Sequence, residues 1–511
     1  MDPLPDDLPE LVQARALWAR HDLYGAAAAF QQAVRRRPQH PRVLLEAAGA
    51  LGELYQFAPA EALLTRLTRL AAGNGPLLNA AGQVYERLRR KAEAEDCFRQ
   101  ALAAPRPALE AHFGLAAALE RRNELTAASE QLASLLAAMP AHAEGGVLSA
   151  RVQRRLGDVD RAALELQTLL ARNDLAPMLR ARACAEQAAL HDEQGNYAQA
   201  WRSMLAGKQA LAPLAGPARA HRDRLAPALW RLAREVTSDQ LARWQAAATS
   251  DPPPRVALLT GLPRSGTTLL ERALNAHPAM VGCDEYDVFP RFVYPAILGA
   301  TPPESIDAAH LDRLPETHLP EQRRRYALAI AAAVRAGSST ELLLDKNPSL
   351  LPLLAPYLRI SPHARVLVAL RDPRDVLVSC LLTDLPLNDF GVDLLDPRTA
   401  VGRVATDLEC WLALRDKLAG NALEIRYEAV VSDLPAAARR AVEHLGLEWS
   451  NDVLRYREVG RDQVVHSPSY DGVAKPVTDR AIGRWRNYAE FLTPLLEPLA
   501  PVLAALGYSK G

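Results

Sequence analysis

The chain reads as an α-helical repeat superhelix followed by a three-layer α/β domain with a central parallel sheet. Three observations carry that expectation. Small residues recur at Ala26, Ala60, Ala94, Ala128 and Ala162, each 34 positions after the last, a period typical of stacked helical hairpins. Residues 256–274, VALLTGLPRSGTTLLERAL, pass from an apolar strand through a glycine-containing loop into a helical pattern. Residues 364–382, ARVLVALRDPRDVLVSCLL, repeat that strand-to-helix step.

In the first half, the five alanines are joined by Ala200 at a final offset of 38, and four positions after each stands Phe30, Leu64, Phe98, Leu132, Leu166 or Met204. Twelve positions before each stands a second small residue: Ala14, Ala48, Gly82, Ala116, Ala150 or Ala188. Small residues on both helices let a hairpin close tightly, and the large apolar residue fills the gap to the next hairpin. The phased triplets resemble the tetratricopeptide pattern, and Tyr85 and the helix-ending Pro38 and Pro140 fit it. A helical bundle without repeats is the alternative, because an alanine-rich chain produces chance spacings. The offset of 38 implies an insertion in ARNDLAPMLR, residues 171–180, read as a longer turn. Such arrays are recognition or packing surfaces, so no chemistry is expected before about residue 250.

The expected division is 1–206 for about six repeats, 207–252 for a helical linker and 253–511 for the α/β domain. APALWRLAREV and DQLARWQAA give the linker its apolar stripes, and SDPPP at Ser250 to Pro254 stops it, since stacked prolines cannot continue a helix.

With 511 residues, two or three domains are expected. Net charge is zero, so no global basic field suggests nucleic acid and any anion site must be local. Five scattered cysteines, odd in number and without metal spacing, fit reduced thiols in a cytoplasmic protein. The acidic, proline-rich start MDPLPDDLPE does not read as a secretory leader, and no apolar run is long enough to predict a membrane span.

Gly261 and Gly266 let the backbone of the first loop approach an anion, toward which the N–H groups of the following helical turn point. A nucleoside-triphosphatase loop would place Lys where this chain has Thr267. The cation is instead Arg264, inside the loop. A planar guanidinium and two hydroxyls suit an anion held without a metal, such as a 5′-phosphate leaving group. A kinase-like enzyme and a nucleotide-binding repeat scaffold without turnover are the rival readings.

GLPRSGTTLLERALNAHP resembles the 5′-phosphosulfate loop of sulfotransferases, and LRDPRDVLVS resembles their 3′-phosphate motif, with Ser379 eight residues after Arg371. Cys283-Asp284-Glu285, Asp345-Lys346-Asn347-Pro348 and GRWRNY (Gly483 to Tyr488) point to the tyrosylprotein and tetratricopeptide-linked branches. The resemblance covers roughly residues 253–500. It implies a P-loop-like sulfotransferase fold and 3′-phosphoadenosine 5′-phosphosulfate as sulfate donor, without a metal. It also implies that Arg264, Ser265, Gly266, Thr267 and Thr268 wrap the 5′-phosphosulfate, while Arg371 and Ser379 hold the 3′-phosphate. The plainer alternative for Arg371 is an ion pair with Asp372, and Arg374 is expected to face solvent or a carboxylate.

By the same resemblance Glu285 is the base that deprotonates the acceptor, with Asp284 the competing candidate. Lys346, at the end of ELLLDK, would neutralise charge on the leaving oxygen; a salt bridge to Asp345 or another acid is the structural alternative. His277 is read as a turn residue. Tyr427 resembles the position near the adenine, and Arg484, with Lys475 nearby, the segment that closes over the nucleotide. Protein tyrosine is the implied acceptor, docked by the repeat array.

Overall fold

The computed structural model describes residues 8–20, 22–248, 255–336, 342–418, 420–456 and 478–509. The Ser250 to Pro254 stop and Lys475 lie outside the described residues. The chain divides into two compact units, Met1–Glu165 and Leu166–Gly511.

The first unit is built of paired helices: Pro9–Ala19 with Leu23–Arg36, Pro41–Glu53 with Phe57–Leu70, Gly75–Arg87 with Lys91–Ala103, and Ala111–Arg121 with Leu125–Ala138. Ala143–Leu156 then leads into Val159–Leu170. Ala14, Ala26, Ala48, Ala60, Ala116, Ala128, Ala150 and Ala162 are all 0 % exposed, so the 34-residue phase marks the helix contacts themselves. Phe98 shows why the phase needs small residues. A Cβ added at Gly82 would lie 2.6 Å from its ring, and one at Gly114 2.5 Å.

The turns repeat as faithfully as the helices. Tyr55, Arg89, Asn123, Gly157 and Gly195 take φ of 58, 59, 64, 86 and 76°. The N–H of the next residue closes each turn on a carbonyl five positions back, from Gln56 to Leu51, Arg90 to Tyr85, Glu124 to Leu119, Asp158 to Gln153 and Asn196 to His191. This left-handed helix ending satisfies carbonyls that would otherwise be orphaned.

The second unit begins with one more hairpin, Pro177–Glu193 and Tyr197–Leu211, after a turn at 171–176 where the insertion was expected. Its Ala188 and Ala200 are fully buried and Met204 nearly so. The stretch expected as a linker forms helices Gly216–Glu235 and Ser238–Ala247, and these pack on the α/β layers. Trp230 Nε1 donates to Asp407 at 3.1 Å, Trp244 Nε1 donates to Asp312 at 2.7 Å, and Lys417 donates to the carbonyls of Arg234 and Val236 at 3.0 and 2.7 Å.

Among the described residues five strands follow: β1 (Arg255–Gly261), β2 (Met280–Asp284), β3 (Leu342–Lys346), β4 (Val366–Leu370) and β5 (Ala422–Arg426). They pair in parallel in the order β2-β3-β1-β4-β5. Strands covered on both faces read as continuous apolar runs, as β3 and β4 do. Ala257, Leu259, Leu344, Leu367 and Ala369 belong to one buried layer with residues of helices Thr267–Leu274 and Leu434–His444. Helix Leu319–Val334 packs on β2 and β3. The chain leaves β1 toward one edge of the sheet and β4 toward the other, so their carboxyl ends form the switch point where ligands of such sheets bind.

All five cysteines are unpaired and buried, and burial pushes the Cys97 and Cys380 thiols up to about 12. Among the described residues no helix is long and apolar enough to cross a membrane.

Gly82→Ala and Gly114→Ala each press a methyl into the Phe98 ring, an overpacking cost of about 1–3 kcal/mol against about 0.5–1 kcal/mol gained in helix propensity. Thermal unfolding is therefore expected at lower temperature for both variants; a rise in Tm would contradict the packing role of Phe98.

Candidate anion and transfer site

The site starts where β1 and β4 end side by side, with Gly261 opposite Ala369. Gly261 takes φ 151°, and a Cβ there would lie 2.4 Å from the Ala369 carbonyl oxygen, so a side chain would force these strand ends apart. The loop then turns through Arg264 at φ 69° and Gly266 at φ 95°. The Ser265 hydroxyl donates to the Leu262 carbonyl at 2.7 Å. Helix Thr267–Leu274 begins here, and the first N–H groups of a helix have no intrahelical acceptor. Ser265, Thr267 and Thr268 are buried around that end.

Arg371 enters from the end of β4. Its Nη1 donates to the Arg264 carbonyl at 3.0 Å, its Nη2 donates to the Ala481 carbonyl, and its guanidinium lies 4.7 Å from the centre of the Tyr427 ring. Its Nε is buried with no acceptor among the described residues. Arg264 Nε donates to Ser379 Oγ at 2.9 Å. Tyr427 in turn packs on Gly266, where a Cβ would sit 2.6 Å from the ring. The loop, Arg371, Ser379 and Tyr427 are thus brought to one place.

Burial, and then the charges of Arg371 and Arg484, push the Arg264 guanidinium below its ordinary range, while Glu285 acts in the opposite sense. Cations that repel one another this closely suit a multiply charged anion. Asp372 does not pair with Arg371. It holds Arg374 through two bonds of 3.0 and 2.8 Å, and Arg374, buried rather than solvent-facing, stacks 4.1 Å over Trp485.

Across the sheet, register places Asp284 beside Lys346. Lys346 is 0 % exposed, and its Nζ donates to Asp284 Oδ1 and Glu285 Oε1, both at 2.6 Å, with Glu271 Oε2 at 3.5 Å. Burial works against this ammonium, and the three carboxylates outweigh it, holding the group protonated above its usual range. The partner acids are therefore Asp284, Glu285 and Glu271, not Asp345. Asp345 accepts from the Tyr326 hydroxyl instead, and burial pushes its carboxyl up to about 7. Glu285 itself takes φ 48°, a left-handed conformation costly for a side-chain-bearing residue, and its N–H is fastened to the Lys346 carbonyl at 2.9 Å.

Glu271 is a site residue that sequence reading missed. It projects from the buried helix Thr267–Leu274, and an acid on such a face was the available signal. Burial, with Asp284 and Glu285 adding to it, pushes its carboxyl up to about 8 against the pull of Lys346.

The late segment closes one side. Asp375 accepts from the N–H groups of Gly483 and Trp485 at 2.7 and 2.8 Å, which anchors the turn Arg484–Tyr488. Arg484 Nη2 is paired with Asp192 Oδ2 at 2.6 Å, and the Tyr488 hydroxyl donates to Asp192 Oδ1 at 2.5 Å. His277 occupies a turn, its Nδ1 accepting from the Ala279 N–H at 3.1 Å and its Nε2 2.8 Å from the Glu448 carbonyl.

Residues 257–451 match the model of the sulfotransferase family. Protein-tyrosine sulfotransferase 1 of Danio rerio is 27 % identical over 254 residues, 48 % of this chain and 70 % of that one. Protein-tyrosine sulfotransferase A of Caenorhabditis elegans is 27 % identical over 260 residues, covering 48 % of this chain and 66 % of that one. Among solved structures, the sulfotransferase domain from the Synechococcus PCC 7002 olefin synthase aligns with 52 % of this chain and 98 % of its own, at 20 % identity and TM-score 0.38.

An acid whose pKa is raised on folding favours the folded state below its unfolded value, 4.5 for Glu271, and loses that contribution as pH climbs through about 8. Urea unfolding of Glu271→Gln beside the parent protein at pH 5, 7 and 9 is expected to show the variant gaining in relative stability as pH rises. A constant or shrinking difference contradicts a buried, raised Glu271.

Proposed function

We propose that the protein transfers a sulfuryl group from 3′-phosphoadenosine 5′-phosphosulfate to an acceptor hydroxyl, with a protein tyrosine as the favoured acceptor. The observation that carries this reading is Arg371. Among the described residues its buried Nε lacks an acceptor, while its other nitrogens are fixed on the Arg264 and Ala481 carbonyls. A guanidinium held so rigidly, beside Arg264 and Ser379 at a sheet switch point, is prepared for a phosphate group. The similarity to protein-tyrosine sulfotransferases supports the choice of acceptor.

The donor supplies the activated sulfuryl group. The loop amides, Ser265, Thr267 and Thr268 would bind its 5′ end, Arg371 and Ser379 its 3′-phosphate, and Tyr427 would lie near the adenine. Arg484 would add positive charge from the late segment. Glu285 would take the proton from the acceptor hydroxyl. Its conformation and its bond to Lys346 hold the carboxylate in place, and a fixed base within hydrogen-bond reach is the requirement for this step. Asp284, equally close to Lys346, is the second candidate for that role. Arg264 and Lys346 would offset charge developing on the leaving oxygen. The scheme calls for no metal.

The repeat array is proposed to dock a peptide or protein acceptor, and the unpaired cysteines suit the reducing cytoplasm.

Incubation with labelled sulfate donor and a panel of tyrosine peptides, carbohydrates and phenols is expected to label the peptides most. Glu285→Gln is expected to lower kcat by about 10²- to 10⁴-fold with adenosine 3′,5′-bisphosphate binding preserved. Unchanged transfer removes Glu285 from the role of base. Magnesium-dependent ATP turnover favours the kinase-like reading, and nucleotide binding with no turnover the scaffold.

A further inference from the structure

Lys346 is claimed by more carboxylates than one ammonium can neutralise. Asp284 Oδ1 and Glu285 Oε1 lie 2.6 Å from its Nζ, and Glu271 Oε2 lies 3.5 Å away. Carboxylates crowded in this way do not all ionise together, and one keeps its proton. Position selects which. The Glu271 side chain is 7 % exposed, against 19 % for Asp284 and 28 % for Glu285, and its contact with Lys346 is the longest of the three. The most enclosed and least compensated acid is the one whose charge costs most. Its carboxyl is pushed up to about 8, burial being the largest cause.

Glu271 is built into this place. Gly282 of β2 lies against it, since a Cβ there would stand 3.1 Å from Glu271 Oε1 and 3.2 Å from its Cγ. Asn275, four residues after Glu271, accepts from the Gly282 N–H at 2.7 Å. One oxygen of Glu271 thus meets the strand backbone and the other meets the ammonium. Among the described residues, the ionisable groups that face it are Lys346, Asp284, Glu285 and the Cys283 thiol, which burial keeps neutral well above its usual range. Arg272 follows on the same helix, where consecutive side chains do not face each other. Asp345 alternates to the other side of β3, with Tyr326. β1 has only Arg255, at its exposed amino end. Helix Leu434–His444 buries alanines and Val442 and leaves Arg439, Arg440 and Glu443 exposed, while His444 meets the Asn421 carbonyl at 3.2 Å. Asp452 and Arg455, in the segment after it, pair with each other at 3.8 Å.

We propose that Glu271 is a positioning residue of the transfer site that works in its uncharged form. Protonated, it leaves the Lys346 ammonium to Asp284 and Glu285, which keeps the base fixed. Ionised, it draws that ammonium toward itself and adds a negative charge beside a donor that is itself a polyanion, so the base loses its anchor and transfer slows. The role rests on the sulfuryl transfer and the Glu285 base assigned above. Activity is therefore expected to fall as pH rises through about 8, the direction in which Glu271 loses its proton.

The test measures kcat from pH 6 to 10 on the full chain, for transfer of labelled sulfate from 3′-phosphoadenosine 5′-phosphosulfate to a tyrosine peptide. At pH 9 the parent is expected about tenfold below its plateau. In Glu271→Gln and Glu271→Met the pH 9 value stays within about twofold of each variant's own plateau, whatever the height of that plateau. Glu271→Asp, which keeps a carboxyl, restores the alkaline fall. Infrared difference spectra between pH 7 and pH 9 are expected to contain a protonated-carboxyl band in the parent that is missing from Glu271→Gln. An alkaline fall of equal size in the parent and both neutral variants overturns the positioning role while leaving the transfer reading intact. Identical carboxyl bands in the parent and Glu271→Gln overturn it as well. A parent protein that transfers no sulfate at any pH defeats the transfer reading, and the role of Glu271 with it.

Discussion

The buried ammonium of Lys346 is the constraint around which the α/β half is arranged. It is fully enclosed, and its register partner Asp284 and the adjoining Glu285 both bond to it at 2.6 Å. Removing one partner of a buried pair costs about 3–5 kcal/mol, far more than an exposed pair contributes. That asymmetry fixes where β2 must end relative to β3 and forces the chain through the left-handed conformation at Glu285. The strained residue is thus one that the fold cannot relax without exposing or orphaning a charge.

A second constraint acts at the other side of β1. Gly261 allows the close approach to Ala369, and Gly266 allows Tyr427 to pack on the loop. Through these two contacts the cations delivered by different loops share one small volume. The repulsion among Arg264, Arg371 and Arg484 is tolerated because each is tied to something else: the Ser379 hydroxyl, backbone carbonyls and Asp192 respectively.

Much of this was legible in the chain. The 34-residue phase of alanines reports helix contacts directly, since a close approach admits few side chains, and the parallel strands announce themselves as apolar runs, with Gly261 and Lys346 closing two of them and Arg371 following a third. What stayed hidden has physical reasons. The hairpin turns at Tyr55, Arg89 and Asn123 are set by hydrogen bonding after the helix end, so bulky residues stand where glycine would have signalled the turn. Asp192 lies 292 positions from Arg484, and no local pattern can predict a pair formed only by folding. The stretch expected as a linker shows apolar stripes that are equally compatible with a free helix and a packed one. Its tryptophan N–H groups, bonded to Asp407 and Asp312, decide for packing.

The enclosed, unpaired thiols carry a practical consequence. Cys97, Cys184, Cys283, Cys380 and Cys410 are all shielded from solvent, and burial raises each one's resistance to ionising. Since the thiolate is the reactive species, maleimides should pass over the native residues and modify an engineered surface cysteine selectively. A fluorophore could therefore be installed at a chosen position on the folded molecule without first stripping out its own sulfur.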